Sequence, residues 1–200
     1  MKSEDLTEIL NEACQLVGEA LGTDLAKVVE LQEDGTTLLV RAGVGWKPGM
    51  VGVATVQAND NTSEGQALKS GEAMISSDIA TETRFSYPQF LIDNGVRAVA
   101  NVIILGAEAN RPYGILQIDS CEPRKFTDND TAFLKTYANL LAAAVARLGM
   151  IADLQANEQR LRASLDRQEA ALETGLIGFY ELDPAGQRIF GDRHIASFFV

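Results

Sequence analysis

Thiol and imidazole chemistry has few residues to draw on: the chain holds two cysteines, Cys14 and Cys121, and one histidine, His194. Disulfide exchange needs an attacking and a resolving thiol close together, and no CxxC or mixed Cys/His spacing is present, so neither redox chemistry nor a zinc site is expected. Cys14 reads as a packing residue of the first helix and Cys121 as a loop thiol. No histidine occurs between Met1 and Leu148, which removes a His-ligated haem or metal from that region. His194 lies in a short apolar segment and reads as a surface or core residue. What remains is binding chemistry. The single tryptophan, Trp46, sits in the loop GWKPGMVG, and Phe85, Tyr87 and Phe90 cluster in the irregular stretch SDIATETRFSYPQFLIDNGVR, Ser77 to Arg97. Aromatics concentrated outside regular elements can wall a concave ligand site or plug a closed core, and sequence leaves both readings open.

The elements that must position these loops follow from periodicity. Ser3, followed by Glu4 and Asp5, predicts a first helix with Leu6, Ile9, Leu10, Ala13, Val17 and Leu21 on one face. LAKVVELQ and TTLLVRAGV flank Asp34-Gly35, a hairpin signal; VGVATV and AMIS are short strand candidates around a helix capped by Ser63. Pro88 can open a helical turn that Asn94-Gly95 closes. AVANVIIL and YGILQID form a second hairpin around Glu108 to Pro112. In FTDNDTAFLKTYANLLAAAVARL, Thr127 with Asp128 and Asp130 marks a helix start, and the apolar stripe runs to Leu148 without a stop. Helices bracketing about six short antiparallel strands predict an α+β fold over residues 1–148.

Past that domain the stripe narrows to Ile151, Leu154, Leu161, Leu165 and Leu172, with Glu158 and Gln168 in the remaining seam positions. This heptad spacing predicts a helical connector over residues 149–174, about 33 Å from Ile151 to Leu172, able to form a coiled coil. Val17, Leu21, Leu141, Val145 and Leu148 are the matching candidates for a dimer or packing seam, which predicts a homodimer through helices. The alternative is a helix folding back on its own domain.

The net charge of -11, from 17 Lys plus Arg against 28 Asp plus Glu in 200 residues, repels a polyphosphate and argues against nucleic acid as partner. An acidic N-terminus, no uninterrupted apolar run of about 18 residues and no disulfide framework point to a cytoplasmic chain without a membrane span.

The words DIATETRF, NGVRAVANVIIL and YGILQIDSCEPRKFTDNDTAFLKTYANLLAAAV, in that order between about Asp5 and Leu148, resemble the GAF domain family. The resemblance implies a ligand site between the sheet and the irregular loops, with Trp46, Phe85, Tyr87 and Phe90 as walls and Arg97 and Asn101 as polar contacts. Some relatives attach a bilin to a cysteine in the region occupied here by Thr81 to Asn94, which has none; no haem, bilin or metal is expected. Cyclic-nucleotide-binding relatives carry a signature that Asn110, Arg111, Phe126 and Asp130 match in part, with Thr131 where a Glu would stand; an Arg111–Asp130 bridge pinning the second hairpin to the exit helix explains the same residues without a nucleotide. Residues 175–200 resemble the start of a PAS domain, with a strand from Ile177 to Leu182, a turn at Asp183-Pro184-Ala185-Gly186 and a helix start from His194 to Val200; 26 residues cannot close a core, so a longer chain is implied. The order GAF, helix, PAS resembles the input half of a bacterial signalling protein, most often a sensor histidine kinase, with no catalytic constellation of its own. The remaining alternatives are a cyclic-nucleotide-regulated cyclase or phosphodiesterase module and a ligand-free dimerisation module.

Overall fold

In the computed structural model, residues 2–106, 111–175, 180–182 and 189–191 are described. They fall into two units, 1–150 and 151–200.

The first unit is a six-stranded antiparallel sheet. Helix α1 (Lys2–Leu21) leads into β1 (Leu25–Leu31) and β2 (Thr37–Val44), joined at Gly35 with φ of 69°. Asp34 accepts from the backbone N–H groups of Thr36 and Thr37, each at 2.9 Å, and from the Thr37 hydroxyl. The short strand β3 (Thr55–Gln57) follows, then α2 (Ser63–Ser70), β4 (Met74–Ser76), α3 (Gln89–Asp93), β5 (Ala98–Ile104) and β6 (Gly114–Ser120). The strand order is β3-β2-β1-β6-β5-β4, so the last strand inserts beside the first. Helix α4 (Asp128–Gly175) starts where expected: the Thr127 hydroxyl accepts from the Asp130 N–H at 3.2 Å, and the Asp130 carboxylate accepts from the Thr127 N–H at 2.7 Å. This is a reciprocal cap with Asp in the usual Glu position.

Strand alternation assigns two faces. Ala26 and Val28 of β1, Ala98, Ala100, Val102 and Ile104 of β5, and Leu116 and Ile118 of β6 pack under α1 and α4, whose Leu10, Cys14, Val17, Leu134, Ala138 and Leu141 complete that core. On the opposite face α2, α3 and the long loops cover two smaller apolar clusters, one around Val29, Leu38, Val40, Val56 and Ile115 and one around Leu25, Leu91, Val96 and Val99.

Two local expectations shift. The α2 cap is Thr62, one residue before Ser63, because the Thr62 hydroxyl accepts from the Gly65 N–H at 3.1 Å while Ser63 turns inward. The third strand is Thr55–Gln57 and not Val51–Val56, since residues 51–53 form a turn with Gly52 at φ of 80°.

In the second unit, residues 151–175 are helical, and Ile151, Leu154, Leu161 and Leu165 are exposed. Leu172 lies in this helix. Strands β7 (Tyr180–Leu182) and β8 (Ile189–Gly191) pair antiparallel, Leu182 opposite Ile189. The expected turn at 183–186, His194 and the helix start up to Val200 lie outside the described residues, as do Glu108 and Asn110. By length and composition alone α4 could cross a membrane; Leu134, Ala138 and Leu141 are buried against the sheet, while most of the apolar stretch is not buried.

Candidate functional site

The loop-side face of the three central strands is interrupted by charge. Alternation brings Lys27 of β1, Gln117 of β6 and Asn101 of β5 into one row, Lys27 opposite Gln117 and Gln117 opposite Asn101, with Asp119 two residues along. All four side chains are fully buried, a placement that is costly unless charges pair and polar atoms find partners. Part of that requirement is met. Lys27 Nζ donates to Asp119 Oδ2 at 2.9 Å, and Gln117 Nε2 donates to Asp119 Oδ1. The same ammonium lies 4.4 Å from the centroid of the Trp46 ring and 5.9 Å from that of Phe90.

Trp46 is held for this contact. Its Nε1 donates to the Ala26 carbonyl at 2.8 Å, its ring meets Phe90 edge-on at 5.9 Å, and it lies on Gly43, where a Cβ would come within 2.8 Å of a ring carbon.

Helix α2 supplies the opposite wall. Ser63 and Glu64 are fully buried in its first turn. Asn101 Nδ2 donates to Ser63 Oγ at 2.9 Å, and the Ser63 hydroxyl donates to Glu64 Oε2 at 2.9 Å. Glycine at 65 is obligatory for this docking: a Cβ there would sit 2.1 Å from the Asn59 carbonyl oxygen. At the margin the Tyr87 hydroxyl meets Ser76 Oγ, which donates to Glu82 at 2.9 Å, and Glu82 is gripped by Arg84 through both Nε and NH2. Arg84 holds the Glu82 carboxyl down to about 2, while burial pushes the Tyr87 hydroxyl up to about 12.

Three atoms of the cluster have no partner: Glu64 Oε1, Asn101 Oδ1 and Gln117 Oε1. All three are acceptors. The Gln117 amide cannot be turned round to change this, because its oxygen would then face the Asp119 carboxylate. Burial pushes the Glu64 carboxyl up, against the pull of the Lys27 ammonium, its own backbone N–H and the Ser63 hydroxyl. Burial likewise pushes Asp119 up, opposed by Lys27 and Gln117. With both carboxyls ionised, one ammonium faces two carboxylates, an arrangement short of one positive charge.

The aromatic and polar residues expected at a ligand site divide between two places. Trp46, Phe90 and Asn101 converge on the buried row. Phe85, Tyr87 and Arg97 line a cleft of about 330 Å³ together with Ile79, Ile92 and Val96. Tyr87 reaches both, since its hydroxyl meets Ser76. Arg97 is not a free anion contact: its Nε and NH2 donate to Asp78 at 3.0 and 2.7 Å, which holds the Asp78 carboxyl below its ordinary value. A larger open depression of about 790 Å³ between α1 and β2, lined by Thr7, Glu8, Asn11 and Gly43 among others, contains no buried polar side chain.

The expected Arg111–Asp130 bridge is not formed. Arg111 donates to the Gln32 carbonyl at 3.1 Å, tying the second hairpin to the first, while Asp130 caps α4 and has Arg124 at 4.0 Å. Phe126 is buried in the α4-side core beneath Arg124. Of the seam candidates, Val17 and Leu141 are buried inside the domain core, so their role is packing; Leu21 is half-buried against the same core. Val145 and Leu148 are half-buried. Cys14 is fully buried with its thiol pushed up to about 12 by burial, whereas Cys121 is exposed.

Sequence reasoning missed Lys27, Ser63, Glu64, Gln117 and Asp119. A signal existed for three of them. Lys27 in LAKVVEL, and Gln117 and Asp119 in GILQID, occupy the same alternate positions as Leu25, Val29 and Ile115, and those apolar neighbours mark a strand covered on both faces, where apolar residues would fill every such position.

The comparisons agree with this architecture. Residues 5–145 match the family model described as GAF domain. The GAF domain of an Acinetobacter phosphoenolpyruvate-protein phosphotransferase is similar at 19% identity and a TM-score of 0.62, over 74% of this chain and 86% of that one. The blue-light-absorbing form of the Thermosynechococcus elongatus PixJ GAF domain gives 17% and 0.63 over 80% and 95%. A domain of a putative two-component sensor histidine kinase from Sinorhizobium meliloti 1021 gives 17% and 0.56 over 70% and 90%. No curated protein matches the chain. At these identities the structural likeness carries the fold alone; with the family model spanning well over half of the sequence, the chain belongs to the GAF domain family.

Proposed function

We propose that this chain is the sensory input module of a bacterial signal-transduction protein, a two-component sensor histidine kinase in the first instance, acting in the cytoplasm. It takes a small ligand against the loop-side face of its sheet and passes the event to α4. The observation that carries the reading is the set of unpartnered buried acceptors on a sheet face walled by Trp46 and Phe90. A core selected only for stability would fill that row with apolar side chains. The fragment itself performs no reaction in this reading. The likeness to a putative sensor histidine kinase domain and to a methyl-accepting chemotaxis protein supports the signalling context.

A metabolite panel tests the ligand. Binding should raise the unfolding midpoint in proportion to the logarithm of ligand concentration and change the fluorescence of Trp46. A panel that changes neither ends the reading, and tight binding of cyclic AMP or cyclic GMP would move the chain to the cyclic-nucleotide class instead.

The relay is proposed to work in a homodimer joined along 151–172. Leu154, Leu161 and Leu165 are 69%, 63% and 52% exposed at heptad spacing, apolar surface that a partner helix would cover. Light scattering should return a dimer for the whole chain and a monomer for Leu154→Glu/Leu161→Glu, with Trp46 fluorescence unchanged. A monomeric wild type at high concentration removes the homodimer.

A further inference from the structure

The three orphan acceptors also say which chemical class of ligand fits. Glu64 Oε1, Asn101 Oδ1 and Gln117 Oε1 belong to one connected cluster. Glu64 reaches Asn101 through the Ser63 hydroxyl, Asn101 stands opposite Gln117 across the β5–β6 pairing, and Gln117 reaches Lys27 through Asp119. Lys27 and the two amide nitrogens keep further N–H bonds, but every nitrogen has a partner inside the cluster, and the atoms left with none at all are three acceptors. An anion would be repelled by every one of them. A neutral hydroxyl brings one donor where three acceptors wait. A hard metal cation asks for six or more oxygens, and only one carboxylate is not already engaged by Lys27. A primary ammonium brings three N–H donors in a tetrahedral fan together with a positive charge to pair with Glu64 in its ionised form, and the Trp46 and Phe90 rings that flank Lys27 add π-rich surface to the same cluster.

We propose that Glu64, Asn101 and Gln117 form a receptor for the primary ammonium group of a small organic amine. This rests on the sheet face being a ligand site, as argued under Proposed function. Glu64 supplies the counter-charge and the two amide oxygens orient the remaining N–H bonds.

The test uses the whole 200-residue chain and four probes at matched ionic strength: n-propylammonium chloride, sodium propionate, 1-propanol and tetramethylammonium chloride, the last a cation with no N–H donor. Propylammonium alone should raise the unfolding midpoint and saturate in calorimetry. Glu64→Gln should weaken that binding by about tenfold or more, the usual scale of a charge-assisted hydrogen bond lost. Its own unliganded midpoint should stay at or above the wild-type value, because the substitution removes a buried charge and adds an N–H that the orphan amide oxygens can accept. A merely structural Glu64 would make the variant less stable. Asp60→Asn, on the surface ion pair with Lys69, should bind like wild type.

Propionate, propanol or tetramethylammonium matching propylammonium would overturn the proposal, as would potassium or sodium ions reproducing the shift at equal concentration, or undiminished binding by Glu64→Gln. Silence toward all four probes overturns it too. The metabolite panel then separates the failures: a hit among compounds lacking an amine leaves the ligand site standing without its ammonium receptor, and a silent panel removes both.

Discussion

Replacing Lys27 by methionine isolates the electrostatics of the buried row. Lys27 and Asp119 are both fully buried, 2.9 Å apart, and the ammonium also faces Trp46 at 4.4 Å. Lys27→Met keeps most of the side-chain volume but leaves the Asp119 carboxylate, and Glu64 with it, without a counter-charge. Breaking a buried pair from one side costs about 3–5 kcal/mol, against a typical domain stability of about 5–15 kcal/mol. The double variant Lys27→Met/Asp119→Leu should recover the part of the loss due to Asp119, leaving about 1–2 kcal/mol for the Gln117 N–H without an acceptor together with whatever Glu64 loses with Lys27. The sign with pH is fixed. An acid whose folded pKa lies above its unfolded value supports the fold below the unfolded value, and that support is lost as pH rises through the folded pKa. Burial pushes Asp119 and Glu64 in that direction, and removing Lys27 pushes them further. The deficit of Lys27→Met relative to wild type should therefore grow from pH 5 to pH 7, by up to about 1.4 kcal/mol per unit for each uncompensated carboxyl. The assay is urea unfolding followed through Trp46, the single tryptophan, which sits at the site and reports on this domain alone. A deficit below about 1 kcal/mol at pH 7, or one that does not change between the two pH values, refutes the reasoning.

Gly65→Ala drives a methyl into the Asn59 backbone, 2.1 Å from its carbonyl oxygen, and should cost about 3 kcal/mol by the same unfolding assay; a loss under about 1 kcal/mol would mean α2 is not wedged as described. The Glu82 carboxyl, held to about 2 by Arg84, is a depressed acid, so the support it gives the 77–88 loop is present above its ordinary 4.5 and disappears as pH falls through about 2. A carbon NMR titration should find that low midpoint in wild type and a clear upward move in Arg84→Ala; an ordinary midpoint in wild type contradicts the grip. Arg111 and Asp130, having separate partners, should couple by less than about 0.3 kcal/mol in a double-mutant cycle, while Asp130→Ala alone loses about 1 kcal/mol of capping; a coupling near 1 kcal/mol would restore the direct bridge.

What could be read without coordinates followed from local physics. The Asp34-Gly35 turn, the Thr127 cap and the apolar stripe of α1 depend on residues a few positions apart, and they lie where periodicity and cap chemistry put them. The sheet order did not follow in the same way, because β6 pairs with β1 across about ninety residues, Lys27 opposite Gln117, and no short-range signal encodes that choice. The site suffered for the same reason. Aromatics in loops pointed to Trp46 and Phe90, yet Lys27, Gln117 and Asp119 look like ordinary polar residues of one-sided strands until both faces are known to be covered. Glu64 was harder still, since an acid in the first turn of an α2-like helix is expected on the surface. It is nonetheless buried, in a turn whose Gly65 lies against the Asn59 backbone. Arg111 illustrates the opposite error: a plausible partner by motif, Asp130, lost to the Gln32 carbonyl that the hairpin packing placed nearer.

The alternation that hid the polar row also gives it mechanical reach. Lys27 lies between Ala26 and Val28, Gln117 between Leu116 and Ile118, and Asn101 between Ala100 and Val102; each polar residue points to the loops while both chain neighbours point into the core under α1 and α4. A strand cannot move one set without the other, because successive side chains share a single pleated backbone. Close-packed cores transmit such displacements instead of absorbing them. If an occupant of the row draws β5 and β6 toward Glu64, Leu116, Ile118 and Ala100 must shift against Leu134, Ala138 and Leu141 of α4 in the same step. Substituting Ala138 by leucine fills that contact from the helix side, leaving Glu64, Asn101 and Gln117 untouched. The proposed relay then requires the variant to alter ligand affinity by linkage, and equal affinity in both proteins would place the sheet face and α4 in separate mechanical compartments.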